Sequence, residues 1–511
     1  LELHQQKQQQ RKDPLKLLDT NNQIFMKNIY IAVLLLIPLF TISQIQKISL
    51  EDAVEMAQTK SPDYQLNLFR NEGSFWRNKN YLANMLPQFG LSATLPSYSN
   101  RIIRVLNEDG DENFVQQNQT SLKTSLYVSQ NVPFTGGQLA MRSDLERITK
   151  LGDTNTEQYN FIPFSINYIQ NSLLYNPFKW DKKIEPLLFE ESKREFIESM
   201  ERISFRTSRL YFSLLKAQIQ LKIAENNLSN QDTLFQIAKG RFRMGKIAEN
   251  DLLQMELSYI NSQTNLTSRQ ITLKSSSQDL VRYLDLDSEE IELEIPENLA
   301  PFNVNTEKAL QEAEANRKFV IQYRRERLVA EKELARAKGD NGLTLGITAN
   351  FGMSQNGPEF NELFEEFDQQ QSVRITLGIP IFDWGVSKSE KRMAQARLDL
   401  VNVNLKQDHQ EFEQEIYLHT LNWANQRNFL ASTEKAQEIA LKRYDITKKR
   451  YVLGKLTITD LNLAQESKDK SVLNYLNSLE KFWLDYYILR QLTLYDFLKD
   501  KKIEVEDILY E

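Results

Sequence analysis

Cysteine is absent from the 511-residue chain. That excludes disulfides, thiolate metal sites, a cysteine nucleophile and a lipid-modified cysteine. Histidine occurs three times, at His4, His409 and His419, and the last two are ten residues apart. That spacing does not put them on one helix face, so no metal site is expected. An excess of positive charge is also missing. The chain has 63 basic and 69 acidic residues, which gives no electrostatic footprint for nucleic acid. No Gly-rich phosphate loop precedes a helix, no HExxH is present, and no nucleophile stands beside a base. Neither an enzyme activity nor a cofactor is expected. Hydrophobic content is 41%, too high for a disordered chain.

Long apolar runs are limited to one. Residues 1–25 are polar and aperiodic and read as an upstream extension with no folded role. Met26 opens MKNIYIAVLLLIPLFTISQ, in which Lys27 precedes an apolar run from Ile29 to Phe40, with Thr41 and Ser43 at cleavage spacing. Residues 26–43 therefore read as a secretory signal peptide. The run is shorter than the ~20 residues of a membrane-spanning helix.

Glycine and proline are scarce and unevenly placed. Neither occurs in residues 187–239, 246–295, 386–453 or 455–511. Within these stretches apolar residues recur at three and four, as at Phe196, Met200, Ile203, Tyr211, Leu214, Leu215, Ile219 and Ile223. The pattern predicts amphipathic helices long enough to pack along one another. NNLSNQD (226–232) predicts a local cap or break. Other segments alternate with period two and predict strands near 86–98, 121–132, 342–353 and 372–382. Two further alternating runs, 138–148 and 161–172, form an extra pair, although Pro163 is poorly suited to a central strand.

The same order is written twice. RFRMGKIAENDLLQMEL (241–257) matches RYVLGKLTITDLNLAQE (450–466) at an offset of 209. SLEDAVEMA (49–57) matches NTEKALQEA (305–313), and LPQFGLSATL (86–95) matches GLTLGITANF (342–351), both at an offset of 256. Residues 44–300 thus read as a first repeat with a helical hairpin over 185–286 and its tip at Gly245. Residues 301–511 read as a second, with a hairpin over 386–496, a tip at Gly454 and a C-terminal tail.

This repeat order, the paired strands, IPIFDWG (379–385) entering a helix and the two Arg-aromatic-x-x-Gly-Lys hairpins resemble the TolC-like outer-membrane factor family over residues 48–496. The resemblance implies a mainly α fold with a membrane β-barrel. Long antiparallel hairpins would form an α-barrel tunnel, joined to strands that close one barrel across a homotrimer. It implies an outer-membrane exit duct for a tripartite efflux pump or a type I secretion system, extending into the periplasm. The partners implied are a periplasmic adaptor, outer-membrane lipid and, indirectly, an inner-membrane transporter. A periplasmic coiled-coil adaptor or scaffold is the alternative, whose strands would pack on protein instead of lipid.

The resemblance also implies site residues. Met244, Gly245, Lys246, Leu453, Gly454 and Lys455 match the adaptor-docking tips. Asp251, Tyr451 and Asp460 match pore and gate positions, with Asp460 as an acidic ring on the axis. The spacing alone reads differently: Thr457 and Asp460 are a capping-box pair, and Asn250 is a cap candidate beside Asp251. Two positions depart from the family. Leu456 stands where it has a gate arginine, and Leu463 where it has a second pore aspartate.

Overall fold

The computed structural model describes residues 46–106, 109–152, 154–287, 291–297, 299 and 302–504. The expected extension (1–25), signal peptide (26–43) and end of the tail (505–511) lie outside the described residues.

The larger of two units holds the helices, a six-stranded antiparallel sheet and a short antiparallel strand pair. The sheet runs β2 (Gln88–Leu106), β3 (Glu112–Val132), β4 (Gly137–Lys150), β5 (Thr156–Gln170), β7 (Thr344–Gly357) and β8 (Asp368–Gly378), paired in that order. β4 and β5 are therefore internal strands, hydrogen-bonded on both edges. Pro163 is tolerated because it falls where register shifts on both sides, between Arg142 and Asp144 of β4 and between Phe161 and Ser165 against β7.

The register sorts side chains cleanly. Phe89, Val128, Met141, Ile166 and Phe351 line up across five strands on one face, with Leu91, Leu126, Val373 and Ile375 beside them. The opposite face carries Ser129, Ala140, Asn167, Asn350 and Ser372 in one row. It also carries an ion pair, Lys123 to Asp144 at 3.1 Å.

Most strands are longer than the alternation suggested, β2 and β3 by the most. Ser97–Leu106 of β2 pair with Glu112–Ser121 of β3, whereas β4 begins to pair only at Gln119. Beyond that point the chain is a two-stranded ribbon rich in Gln, Asn and Arg, where no face is apolar enough to alternate. β8, in contrast, starts at Asp368 and stops at Gly378, short of the expected 382. Pro380 has no N–H to continue a ladder.

Helices α1 (Leu50–Lys60) and α2 (Pro62–Ala83) precede the strands. α3 (Pro177–Arg243) and α4 (Glu249–Leu284) follow β5, and α5 (Thr306–Asn316) and α6 (Lys318–Asp340) precede β7. α7 (Val386–Val452) and α8 (Ile458–Thr493) follow β8. α3 and α7 each have 67 residues, and α4 and α8 each have 36. At 1.5 Å per residue the longer ones run roughly 100 Å. α3 passes unbroken through NNLSNQD, against expectation. Tertiary partners override the weak local propensity there: Asn227 donates to Asp469 at 2.7 Å and Gln231 to Gln465 at 3.3 Å, both on α8. Among the described residues no helix is long and apolar enough to cross a membrane.

α3 and α8 are also joined by a buried ion pair. Arg490 donates twice to Glu201 at 2.8 Å and once to Asp496 at 3.1 Å. Asp496 belongs to a short pair, β9 (Tyr495–Asp496) and β10 (Lys501–Lys502). A two-stranded sheet pairs β1 (Gln46–Ile48) with β6 (Ile291–Leu293), and the smaller unit holds β1 and the first two residues of β6.

Candidate functional site: the paired hairpin tips

Both helix pairs reverse through the same turn. At the first, Gly245 donates to the Phe242 carbonyl at 2.8 Å and Lys246 to the Arg241 carbonyl at 2.9 Å. At the second, Gly454 donates to the Tyr451 carbonyl at 2.8 Å and Lys455 to the Arg450 carbonyl at 3.0 Å. This is the Schellman arrangement, which needs a left-handed residue just past the helix. The φ angles of Gly245 and Gly454 are +68° and +73°. A Cβ at either would meet nothing within 4 Å, so backbone conformation alone selects glycine. Met244 and Leu453 precede the glycines, 63% and 69% exposed, and Lys246 and Lys455 follow them into solvent.

Beneath the tips, the four long helices share one apolar cluster. Leu234, Phe235 and Ala238 of α3 meet Met255 of α4, Tyr451 of α7, and Ile458 and Leu461 of α8. Tyr451 is thus a core residue, 7% exposed. Burial pushes its hydroxyl pKa up, the Arg241 cation opposes that, and the Asp251 carboxylate adds to it. Tyr451 and Asp251 are therefore electrostatic neighbours inside one chain.

Asp460 is held differently. Its Oδ2 accepts from the Thr457 backbone N at 3.0 Å and from the Thr457 hydroxyl at 2.6 Å, while its own N–H donates to that hydroxyl at 3.2 Å. These hydrogen bonds hold its carboxyl below the ordinary carboxylate range. It remains exposed. The first tip has no such box. Its helix begins after Ala248, which offers no side-chain cap, and Asn250 and Asp251 lie inside the first turn. The expectation that Asn250 caps this helix is corrected. The two turns have links of equal length, so the start of α4 is fixed by the turn and not by the best capping residue.

Three contacts that sequence reasoning did not single out tie one tip to the other. Arg241 Nη2 donates to the Val452 carbonyl at 3.2 Å, and its guanidinium lies 5.7 Å from the Tyr451 ring centre. Lys448 donates to Asn230 at 2.6 Å. The signal for Arg241 was its repetition as Arg450. Leu456 is half-buried and Leu463 is 55% exposed, so neither supplies a charged link.

Elsewhere, Glu314, His409 and Glu413 bring their ligand atoms within 4.8 Å of one another. His409 and Glu413 are a helical i,i+4 pair 3.8 Å apart and half-exposed, the ordinary geometry of a surface ion pair.

The family described as outer membrane efflux protein matches the chain over residues 309–482. No curated protein matches it in sequence. Among solved structures, a membrane protein from Pseudomonas aeruginosa is 14% identical, with 90% of this chain and 92% of that chain covered and a TM-score of 0.64. The CmeC outer membrane channel of Campylobacter jejuni is also 14% identical, with 89% and 87% covered and a TM-score of 0.64. The outer membrane protein VceC of Vibrio cholerae is 14% identical, with 89% and 97% covered and a TM-score of 0.61. Residues 309–482 thus carry an outer membrane efflux protein domain, and the chain has the fold of TolC-like outer-membrane channels.

Proposed function

We propose that three copies of this chain form a passive exit duct in the outer membrane, with the helices extending into the periplasm. The observation that carries the reading is the two-faced sheet. Its apolar face suits lipid and its polar face suits a water-filled lumen. Its outer strands, β2 and β8, have unpaired edges within the chain. Such edges cannot stand open in hydrocarbon, so β2 of one copy pairs with β8 of the next. Six strands from each of three copies make a barrel of eighteen. Barrels of 16–18 strands enclose an aqueous channel. The inserted pair, β4 and β5, thus adds to the wall and widens the bore.

The helical hairpins then line the periplasmic tunnel, with their tips at its mouth. The equal helix lengths support an internal duplication. Exposed Met244 and Leu453, each followed by Gly and Lys, form the surface for a periplasmic adaptor, and an inner-membrane transporter supplies the energy. The capping role of Asp460 uses one carboxylate oxygen and leaves the other for an axial ring. Three such groups near the axis bind cations.

The test is fractionation followed by thiol labelling of the cysteine-free chain. The duct requires detergent for release, Ile166→Cys reacting with a lipid-phase reagent and Asn167→Cys with a water-soluble one. Release by osmotic shock, with both cysteines reacting in water, would establish the periplasmic scaffold instead. Asp460→Asn is expected to weaken cation selectivity and multivalent-cation block in single-channel recordings.

A further inference from the structure

We infer that Arg450 closes the tunnel mouth by latching onto the first hairpin of the next copy, at the Arg243 carbonyl and the Phe242 ring. The template lies within the chain. Arg241, near the end of α3, donates to the carbonyl of the last residue of α7, Val452, and lies over the ring of the residue before it, Tyr451. That carbonyl is free for the purpose, because the Schellman turn uses the carbonyls of Arg450 and Tyr451. A cation there also meets the negative end of the helix dipole.

Every part of this latch recurs 209 residues away. Arg241 corresponds to Arg450, Tyr451 to Phe242, and Val452 to Arg243, the last residue of α3. In the second set the parts are present but not joined. Arg450 is exposed and has no side-chain partner among the described residues, and Phe242 is 38% exposed against 7% for Tyr451. Four other links between the hairpins do not recur. The pair Asn227–Asp469 corresponds to Ala436 and Ile260, and Gln231–Gln465 to Ala440 and Glu256. Glu201–Arg490 corresponds to Gln410 and Val281, and Asn230–Lys448 to Ile439 and Lys239. Among these links, the Arg latch alone is written in both halves.

The missing partner is a second copy, because the unpaired surfaces are the complementary ones. α3 and α8 face each other in the chain, while α4 and α7 expose Leu257, Ile260, Ile439 and Ile446. Around a ring of alternating hairpins, α7 of one copy meets α4 of the next. The relation that sets Arg241 on α7 then sets Arg450 on the next copy's α3. Six latches result, three within chains and three between them.

This inference rests on the trimeric reading above, and the experiment separates the two. Arg450→Cys with Phe242→Cys is treated, as the full-length trimer in detergent, with a short bifunctional thiol cross-linker. Arg241→Cys with Tyr451→Cys serves as the within-chain control. The expected result is a covalent trimer on a denaturing gel for the first pair and a monomer for the second. In planar bilayers, Arg450→Ala is expected to raise the open probability roughly tenfold, equivalent to about 1.4 kcal/mol and within reach of one charge-assisted hydrogen bond. A trimeric, conducting protein whose first pair stays monomeric after cross-linking overturns the latch and leaves the duct standing. A protein that forms neither trimer nor channel overturns both.

Discussion

The two hairpins are the same length and are buried very differently. Twenty-one residues of α3 are buried and eight of α7, although both helices have 67 residues. Among the shorter partners the order reverses, with six buried residues in α4 and thirteen in α8. Burial thus follows position in the chain's own packing and not the repeat. α3 and α8 are inner helices, locked by the Arg490–Glu201 pair and a row of amides. α4 and α7 are outer helices, and Leu257, Ile260, Ile439 and Ile446 on them have no cover in one chain. The two hairpins differ in burial and in their caps, while their turns keep the same Schellman hydrogen bonds.

The comparison breaks hardest at the inner pair. Glu201→Ala removes two hydrogen bonds from a buried guanidinium, leaving it Asp496, and should cost about 3 kcal/mol. The corresponding Gln410→Ala, on the exposed face of α7, should stay within about 0.5 kcal/mol. Chemical denaturation followed by circular dichroism measures both, and equal losses would show that the inner and outer helices are not distinct. At the tips the halves should behave alike. Gly245→Val and Gly454→Val each force a side chain into the left-handed region, at about 1–2 kcal/mol. The double variant should form trimers and lose transport, which an export assay beside native gel analysis would read.

The caps sharpen the difference again on a smaller scale. Thr457→Ala should destabilise the second tip by ~1 kcal/mol, and Ala248→Ser should stabilise the first by ~0.5–1 kcal/mol. Hydrogen exchange at residues 249–252 and 458–461 reports each tip separately. The smallest effect is that of pH. Asp460 has a folded pKa below its unfolded value, so its contribution is complete above the ordinary carboxylate value of ~3.9. It is lost as the pH falls through the folded pKa. Exchange at the second tip should therefore quicken in acid more than at the first, where Ala248 provides no such group.

The reversals were legible because Gly245 and Gly454 interrupt stretches that otherwise lack glycine and proline. The two faces of the sheet were legible wherever one face is apolar. The ribbon was not, because cross-strand pairs such as Asn100 with Asn118 and Arg101 with Gln117 put polar side chains on both faces. The unbroken α3 was hidden for a related reason. Asn227 and Gln231 lie in a stretch of weak helix formers and are satisfied by partners more than two hundred residues away. Arg241 shows the limit most plainly: its repetition was visible, but its acceptor lies 211 residues along the chain.

The unequal edge strands also act as a ruler. β2 has 19 residues and β8 has 11. In the barrel proposed above they meet across the seam, and at least eight residues of β2 find no partner on that side. Their bare N–H and C=O groups are tolerable only in water. In that barrel the hydrocarbon ends where β8 begins, at Asp368. An 11-residue tilted strand spans the ~25 Å apolar band of an outer membrane. On that proposal the shortest strand of the six measures the thickness of lipid, and the ribbon of β2 and β3 stands above the waterline.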